Sequence, residues 1–193
     1  MKTITRNLFT LILIGFISTS IIAQEKEKKN KKSPAEERAE IDKMTSKALA
    51  ELYKVQPQAR NEIANSKGYA VFGNFGMNLF LLSTANGAGK AVSGGKATYM
   101  KMYSAGVGVG IGVKKFNGIF IFKTTKAYQN FIEEGWQGGG QADAAAKDNK
   151  QGGAVAGAIS ISPDITFYQV TNKGLAAQAT IQGTKYWKDK DLN

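Results

Sequence analysis

Glycine alternates with a branched apolar residue along residues 106–113, which is the two-residue period of a β-strand. A strand of this kind has one apolar face and one face of bare backbone. Glycine in a strand costs conformational entropy, so its repeated use indicates that something approaches the bare face closely. We expect the protein's own helix or aromatic residues to do so, Trp136 and Phe131 among them, with a bound ligand as the alternative.

The same run contains the Gly-x-Gly spacing of nucleotide-binding loops, but its context argues against that function. A dinucleotide-binding fingerprint requires Gly-x-Gly-x-x-Gly at a turn from a strand into a helix. Here the glycines stay in strict alternation, and residues 116–123 again have the composition of a strand. The run is therefore interpreted as part of a sheet.

The first residues of the chain have the features of a secretory signal peptide. Residues 1–23 carry two basic residues, then an apolar stretch that is short for a membrane span, then small and polar residues. An uncleaved anchor is the alternative. Residues 24–32 lack apolar side chains and are predicted to form a disordered basic linker. We expect residues 33–193 to form a single domain of an exported protein, periplasmic or secreted, with a peripheral position on a membrane as one option.

The chain is strongly basic. Its formal net charge is +11, and removal of the signal peptide leaves +9. An exported basic protein is separated from most nucleic acid, so the partner that this charge favours is an anionic membrane lipid. Ordinary solubility is the alternative explanation of the charge.

The sequence contains neither cysteine nor histidine. Thiol chemistry, Ser-His-Asp triads and the commonest zinc ligands are therefore excluded. Glu133 and Glu134 are adjacent and project in different directions from a helix, which is poor geometry for paired acid–base chemistry. Asp143, Asp148 and Asp164 have the surroundings of turn and solvating residues. We expect no enzymatic activity, metal or cofactor.

Helical and strand-like segments follow in an order that predicts an α+β fold. Ser33, Pro34 and Glu36 mark the start of an amphipathic helix whose apolar stripe, from Ile41 to Val55, is typical of docking on a core. Strand-like runs follow, interrupted by a helix over residues 125–135. We predict an antiparallel, strongly bent, Gly-rich sheet, with barrel-like closure left open, packed by N-terminal helices and one internal helix.

The turn sequences predict how the strands connect. Asn-Gly and Gly-Gly pairs are typical of hairpin turns and occur at residues 86–87, 94–95 and 117–118. The last of them would join the glycine strand to a strand over residues 119–123, as part of an antiparallel meander. After a long loop at residues 137–153, three further strands are predicted, at 154–162, 166–171 and 175–181.

In order and spacing these pieces resemble the SYLF domain family over residues 48–186. The segments that carry the resemblance are residues 66–72, 86–89 and 94–96, the glycine strand, and residues 119–122, 131–136, 174–175 and 183–186. Two positions depart from the family's pattern: Gly73 stands where proline is usual, and Leu-Leu-Ser at residues 81–83 stands where paired glycines are usual. The first departure relaxes one turn, and the second leaves the backbone less able to accept a close neighbour.

The resemblance implies a non-enzymatic lipid-binding module of the cell envelope. Phosphoinositide and actin binding are reported for eukaryotic members, and export argues against an actin role here. Attraction to phosphate needs several charges within reach, so the candidate lipid-binding residues are the lysines of the predicted meander, Lys90, Lys96, Lys101, Lys114 and Lys115. The alternative is a structural envelope protein that self-associates as a homo-oligomer through its Gly-rich strands.

Overall fold

A computed structural model describes residues 32–79, 82–107, 116–137, 158–171, 174–175 and 184–193. Three helices lie within these residues: α1 (Pro34–Val55), α2 (Ala59–Ala64) and α3 (Thr125–Glu133). The described strands are β1 (Gly68–Leu79), β2 (Leu82–Ser93), β3 (Lys96–Val107), β4 (Phe116–Phe122), β5 (Trp136–Gln137), β6 (Ala158–Ser162), β7 (Ile165–Thr171), β8 (Gly174–Leu175) and β9 (Thr184–Lys188). The predicted α+β class is confirmed.

Helix α1 begins at the capping box that the sequence predicts. The N–H of Ser33 donates to Glu36 Oε2 at 2.8 Å, and the N–H of Glu36 donates to Ser33 Oγ at 3.3 Å. The reciprocal bonds satisfy donors that the helix itself leaves unpaired. The hydrogen bond from the Ser33 backbone also lowers the pKa of the Glu36 carboxyl below its ordinary value.

The predicted apolar stripe of α1 is buried for most of its length. Ile41, Ala48 and Leu52 are buried in the core. Val55, expected to continue the stripe, is exposed. Gln56, four positions after Leu52, takes the next buried place instead, and its N–H donates to the Leu52 carbonyl at 2.7 Å. The apolar stripe therefore ends one turn earlier than its spacing predicts.

The described strands form one antiparallel, strongly curled sheet. Their order is β5–β9–β3–β2–β1–β4–β7–β6, and β8 pairs with β7. Strands β1, β2 and β3 follow one another as neighbours, which is the predicted meander, and the chain then crosses to place β4 on the other side of β1. The bent antiparallel sheet is confirmed.

Strand β4 does not form the predicted hairpin with the glycine strand. One of its edges pairs with β1 and the other with β7, so both are occupied. Asn117 and Gly118, expected to form a turn, lie inside β4. A Cβ added at Gly118 would lie 3.0 Å from the Phe167 ring, so this glycine serves close packing between neighbouring strands.

Of the two glycine turns expected around β2, one is confirmed. Gly94 and Gly95 join β2 to β3 with positive φ angles of 55° and 80°. Asn86 and Gly87 lie instead in the middle of β2, where they are paired with β1 on one side and β3 on the other. A residue paired on both edges continues the ladder, so the turn prediction at 86–87 is wrong.

Both faces of the sheet are buried, by two separate sets of side chains. On the α3 face, Phe72 and Phe120 pack with Phe131 of helix α3. On the α1 face, Val71 packs in a cluster with Leu52 of α1 and residues of α2. Because successive residues of a strand point to opposite faces, the central strands are apolar on both sides.

The glycine run lies partly in β3, which ends at Val107. Residues 108–113 lie outside the described residues, so the neighbour of their bare face and self-association through them stay predictions. The two aromatic residues expected there belong to the α3-face core. The ring centres of Phe131 and Trp136 lie 5.1 and 5.7 Å from that of Phe120.

Helix α3 occupies the predicted segment. Thr124 Oγ1 caps its start by accepting the N–H of Ala127 at 3.3 Å. Gly135 follows its end with a φ of 73°, and a Cβ added there would lie 2.5 Å from the Tyr186 carbonyl oxygen. Both the conformation and the close approach favour glycine at this position, as the sequence predicts.

The compact unit Glu37–Asn193 contains the described elements except the first residues of α1. Strands β6 and β7 correspond to two of the three late strands predicted, and β8 adjoins the start of the third. The predicted signal peptide lies outside the described residues, as does the linker apart from Lys32, and the domain bounds stay a prediction. Among the helices described, none combines the length and apolarity needed to cross a membrane.

Candidate functional site

Lys90, the first of the predicted lipid-binding lysines, is engaged within the protein. Its Nζ lies 2.7 Å from Asp42 Oδ1 of α1, and the side chain is only 17% exposed. The Tyr99 hydroxyl lies 3.3 Å from the same carboxylate oxygen, and the Arg38 guanidinium lies 5.9 Å from the Tyr99 ring centre. The charge of Lys90 therefore holds helix α1 on the sheet.

Lys101, another of the predicted lysines, lies between two carboxylates. Its Nζ is 3.0 Å from Asp189 Oδ1 and 3.2 Å from Asp191 Oδ2. The hydrogen bond to Asp189 raises the pKa of the Lys101 ammonium above its ordinary value, against a smaller opposing effect of burial. Lys101 is thus charged at neutral pH and already supplied with counter-ions.

Among the described residues, no other predicted lysine lies beside Lys90 or Lys101 on the same face of the sheet. Lys96 is exposed at the start of β3. It lies an odd number of residues before Lys101, so the two side chains belong to opposite faces of the strand. Lys114 and Lys115 lie outside the described residues. The lipid-binding role of the whole set stays a prediction.

Lys101 is also one of four side chains that lie together on the α1 face of the sheet, next to Tyr99. Lys101 and Tyr103 lie two residues apart on β3, and Lys185 and Trp187 lie two residues apart on β9, so each pair shares a face. The register places Lys101 opposite Trp187 and Tyr103 opposite Lys185. Tyr103 is 39% and Trp187 36% exposed, and Lys185 is exposed. We refer to these four residues as the aromatic–lysine surface.

The core beneath the surface fixes its orientation. Tyr186, between Lys185 and Trp187, is buried on the α3 face, and its ring centre lies 4.6 Å from that of Phe72. This burial raises the pKa of the Tyr186 hydroxyl well above its ordinary value. Because Tyr186 points into the core, its two neighbours on β9 are directed to the opposite, solvent-exposed side.

Residues 189–193 continue from β9 along β3 and are tied down there. Asn193 Oδ1 accepts the N–H of Tyr99 at 2.9 Å, and Asn193 Nδ2 donates to the Tyr99 carbonyl at 2.8 Å. Leu192 is buried, and its carbonyl accepts a 2.9 Å hydrogen bond from Arg38 Nε. These contacts hold Asp189 and Asp191 beside Lys101.

Tyr103, Lys185 and Trp187 were not among the residues predicted from the sequence as lipid contacts. The available signal was the segment Lys-Tyr-Trp-Lys at residues 185–188, where basic and aromatic residues follow one another. Alternation in a strand directs Lys185 and Trp187 to one face. Sequence alone did not show which aromatic residue of the segment is buried.

The carboxylates considered as catalytic candidates are not gathered into a site. Glu133 and Glu134 are exposed at the end of α3, and Asp164 is exposed in the turn between β6 and β7. Asp143 and Asp148 lie outside the described residues. Within the part of the chain that the structure describes, no group of three or more Asp or Glu side chains is placed to hold a metal ion.

Comparison with known families gives a match over the second half of the chain. Residues 103–193 match the Ysc84 family, described as Las17-binding protein actin regulator. The matched segment begins at Tyr103 and includes β9. It therefore contains three of the four residues of the aromatic–lysine surface.

A curated relative extends the similarity toward the N-terminus. Beta cell expansion factor A of Aeromonas veronii is 36% identical over an aligned length of 171 residues, and the alignment covers 84% of this chain. The chain spans 61% of the length of that relative, less than two thirds. The predicted resemblance to the SYLF family is confirmed by both matches, and residues 103–193 match the Ysc84 (SYLF) family model.

Proposed function

We propose that the protein binds anionic phospholipid membranes peripherally, without chemical conversion, and that the aromatic–lysine surface makes the contact. One observation carries this proposal: Tyr103 and Trp187 are exposed on one face of neighbouring strands, with Lys101 and Lys185 in register beside them. Tryptophan and tyrosine concentrate at membrane–water interfaces because their rings are apolar and their tips polar. Lysine ammonium groups are attracted to head-group phosphates.

The charge distribution supports an anionic surface as the partner. Lys185 and Lys188 are both exposed on β9. Lys185 shares the face of Trp187, whereas Lys188 follows Trp187 directly, belongs to the opposite face and adds to the attraction at longer range. Each lysine held near an anionic bilayer contributes about 1 kcal/mol of attraction. Lys96, Lys114 and Lys115 would add to the attraction at longer range, as would the net charge of the chain.

The match to the family supports the choice of lipid as the ligand. SYLF domains are a non-enzymatic lipid-binding family. The description as an actin regulator belongs to the Ysc84 family as a whole. The predicted signal peptide favours a periplasmic or secreted location for this chain, where membrane lipid is the more accessible partner.

Cosedimentation with vesicles tests the proposal. Vesicles of phosphatidylcholine alone and vesicles with about one third phosphatidylglycerol differ in surface charge. We expect wild-type protein to sediment with the anionic vesicles only, and the double variant Trp187→Ala/Tyr103→Ser to lose most of this binding. Equal sedimentation with both vesicle types, or with neither, would contradict the proposal.

Val55→Ser is the matched control for loss of exposed apolar surface. Val55 is 44% exposed, more than either aromatic residue, but belongs to α1 and not to β3 or β9. This variant should bind anionic vesicles like the wild type. A loss equal to that of the double variant would mean that the aromatic–lysine surface has no special role.

A further inference from the structure

Within the aromatic–lysine surface, the Lys101 ammonium forms ion pairs with two carboxylates that differ in exposure. Asp189, 3.0 Å from Lys101 Nζ, has a side chain that is 2% exposed, whereas Asp191, at 3.2 Å, is 77% exposed. A buried and an exposed carboxylate differ in how easily another anion can replace them. The two aspartates therefore have different roles.

Asp189 is a fixed counter-ion. Its Oδ1 accepts the N–H of Asp191 at 2.9 Å in addition to the Lys101 ammonium, and its own N–H donates to the Tyr99 carbonyl at 3.0 Å. A buried carboxylate that loses its cation is left uncompensated in a medium of low polarity, which is strongly unfavourable. Asp189 stays with Lys101 whatever approaches from solvent.

Asp191 is an exchangeable counter-ion. Its carboxylate projects into solvent and meets Lys101 in an exposed ion pair, a class of contact that contributes little to stability. Carboxylate and phosphate oxygens are both anionic acceptors for an ammonium group. A phosphate that reaches Lys101 can therefore take the place of the Asp191 carboxylate, and the Asp191 side chain then rotates away into solvent.

We propose that Lys101 is a phosphate-binding position of the aromatic–lysine surface, and that Asp191 occupies it in the free protein as an internal competitor that restrains binding to anionic lipid. The inference rests on the proposed function, because it assigns the phosphate to a lipid head group. Trp187 lies opposite Lys101 in the register, so the same lipid surface meets the indole. Binding then requires the exchange of one anion for another at Lys101.

Asp191→Asn tests the exchange, with Glu133→Gln as a control of equal charge change. Glu133 is exposed on α3 and contributes nothing to the aromatic–lysine surface. We expect Asp191→Asn to bind anionic vesicles about five-fold more tightly than wild type, which is the effect of about one lysine made available. Glu133→Gln should change the dissociation constant less than about two-fold, because a distant charge is screened by salt.

The same Asp191→Asn change in a variant that lacks Lys101 tests whether the tighter vesicle binding depends on Lys101. The pair of changes Lys101→Gln and Asp189→Asn removes the ion pair as a whole, so that no buried charge is left alone and the net charge is unchanged. Adding Asp191→Asn to this background should give only the small effect of Glu133→Gln. A five-fold gain in this background would show that net charge alone is responsible, and would overturn the inference. A cooperative thermal transition identifies the variants that are folded.

The outcomes separate this inference from the proposed function. If neither wild type nor Asp191→Asn binds anionic vesicles, the proposed function fails, and the inference fails with it. If wild type binds and Asp191→Asn binds no better than Glu133→Gln, the inference alone fails. Tighter binding by Asp191→Asn that depends on Lys101 supports both.

Discussion

Gly89 occupies a position in the core where the backbone of the next strand comes too close for a side chain. It lies in β2, directly opposite Phe72 of β1. A Cβ at this position would overlap the carbonyl oxygen of Val71 and lie 2.5 Å from Phe72 Cδ1. The Phe72 ring is itself enclosed by other rings, with that of Tyr186 at 4.6 Å. Neither neighbour can move without displacing β1.

Replacement of Gly89 by alanine should therefore destabilise the domain. We expect Gly89→Ala to lower the free energy of unfolding by about 1–3 kcal/mol, the cost of overpacking a core. Gly73→Ala is the matched control, because an added Cβ there meets side-chain atoms and no backbone, with the flexible Met44 nearest at 3.0 Å and Asn117 Oδ1 at 3.4 Å. It should cost less than about 1 kcal/mol. Urea unfolding measures both, and equal losses would contradict this account of Gly89.

The ion pairs of Lys90 and Lys101 show why the candidate site was only partly predictable. Their partners Asp42 and Asp191 lie 48 and 90 residues away in sequence, so no local pattern reveals that the two charges are neutralised. The capping box of α1 was predictable because Glu36 follows Ser33 by three residues and both bonds are local. Hydrogen bonds between residues close in sequence can be predicted from the sequence. Which surface charges remain unneutralised depends on tertiary contacts, which the sequence does not show.

The strands show the same division between local and long-range information. Alternation along residues 96–103 separates Met100 and Met102 from Lys101 and Tyr103, because the two-residue period is intrinsic to a strand, and in the structure both methionines are buried. Periodicity does not specify the neighbour, and β4 pairs with β1 and β7 instead of following β3. The run of apolar residues in β4, buried on both faces, is typical of a central strand. That feature was the available sign against a hairpin at residues 117–118.

The ion pair between Asp42 of α1 and Lys90 of β2 should stabilise the packing of α1 on the sheet. Replacement of Asp42 by asparagine removes the counter-ion of Lys90, whose side chain stays largely buried. Because Asp42 is half-exposed and its charge is screened by solvent, we expect a modest loss of about 1 kcal/mol in the free energy of unfolding. Thermal unfolding at low ionic strength would measure the loss, and added salt should reduce it.

Glu51→Gln on the same helix provides the comparison for this ion pair. Glu51 Oε1 lies 3.9 Å from Lys47 Nζ, and the two residues are four positions apart on the surface of α1. Pairs of this kind contribute less than about 0.5 kcal/mol. If Asp42→Asn were no more destabilising than Glu51→Gln, the contact between Asp42 and Lys90 would not contribute to docking of α1.

Helices cover the centre of the described sheet on both faces, while part of β3 and β9 is exposed to solvent. Helices α1 and α2 cover one face around β1 and β4, and helix α3 covers the other. Among the side chains that the structure describes, the large aromatic ones left in solvent are Tyr103 of β3 and Trp187 of β9. In the proposed function these exposed rings are the apolar anchor, while the net positive charge of the chain acts over a longer distance.

These two contributions to membrane binding should separate in their dependence on salt. Attraction between charges weakens as the Debye length falls, to about 3 Å at ~1 M salt, whereas insertion of aromatic rings does not depend on charge. We expect Trp187→Ala/Tyr103→Ser to weaken vesicle binding by a similar factor at every salt concentration, and Lys185→Gln/Lys188→Gln to weaken it at low salt only. Sedimentation over a salt series measures both. If the aromatic variant changed the slope with salt while the lysine variant did not, the assignment of anchoring to the rings and attraction to the lysines would be wrong.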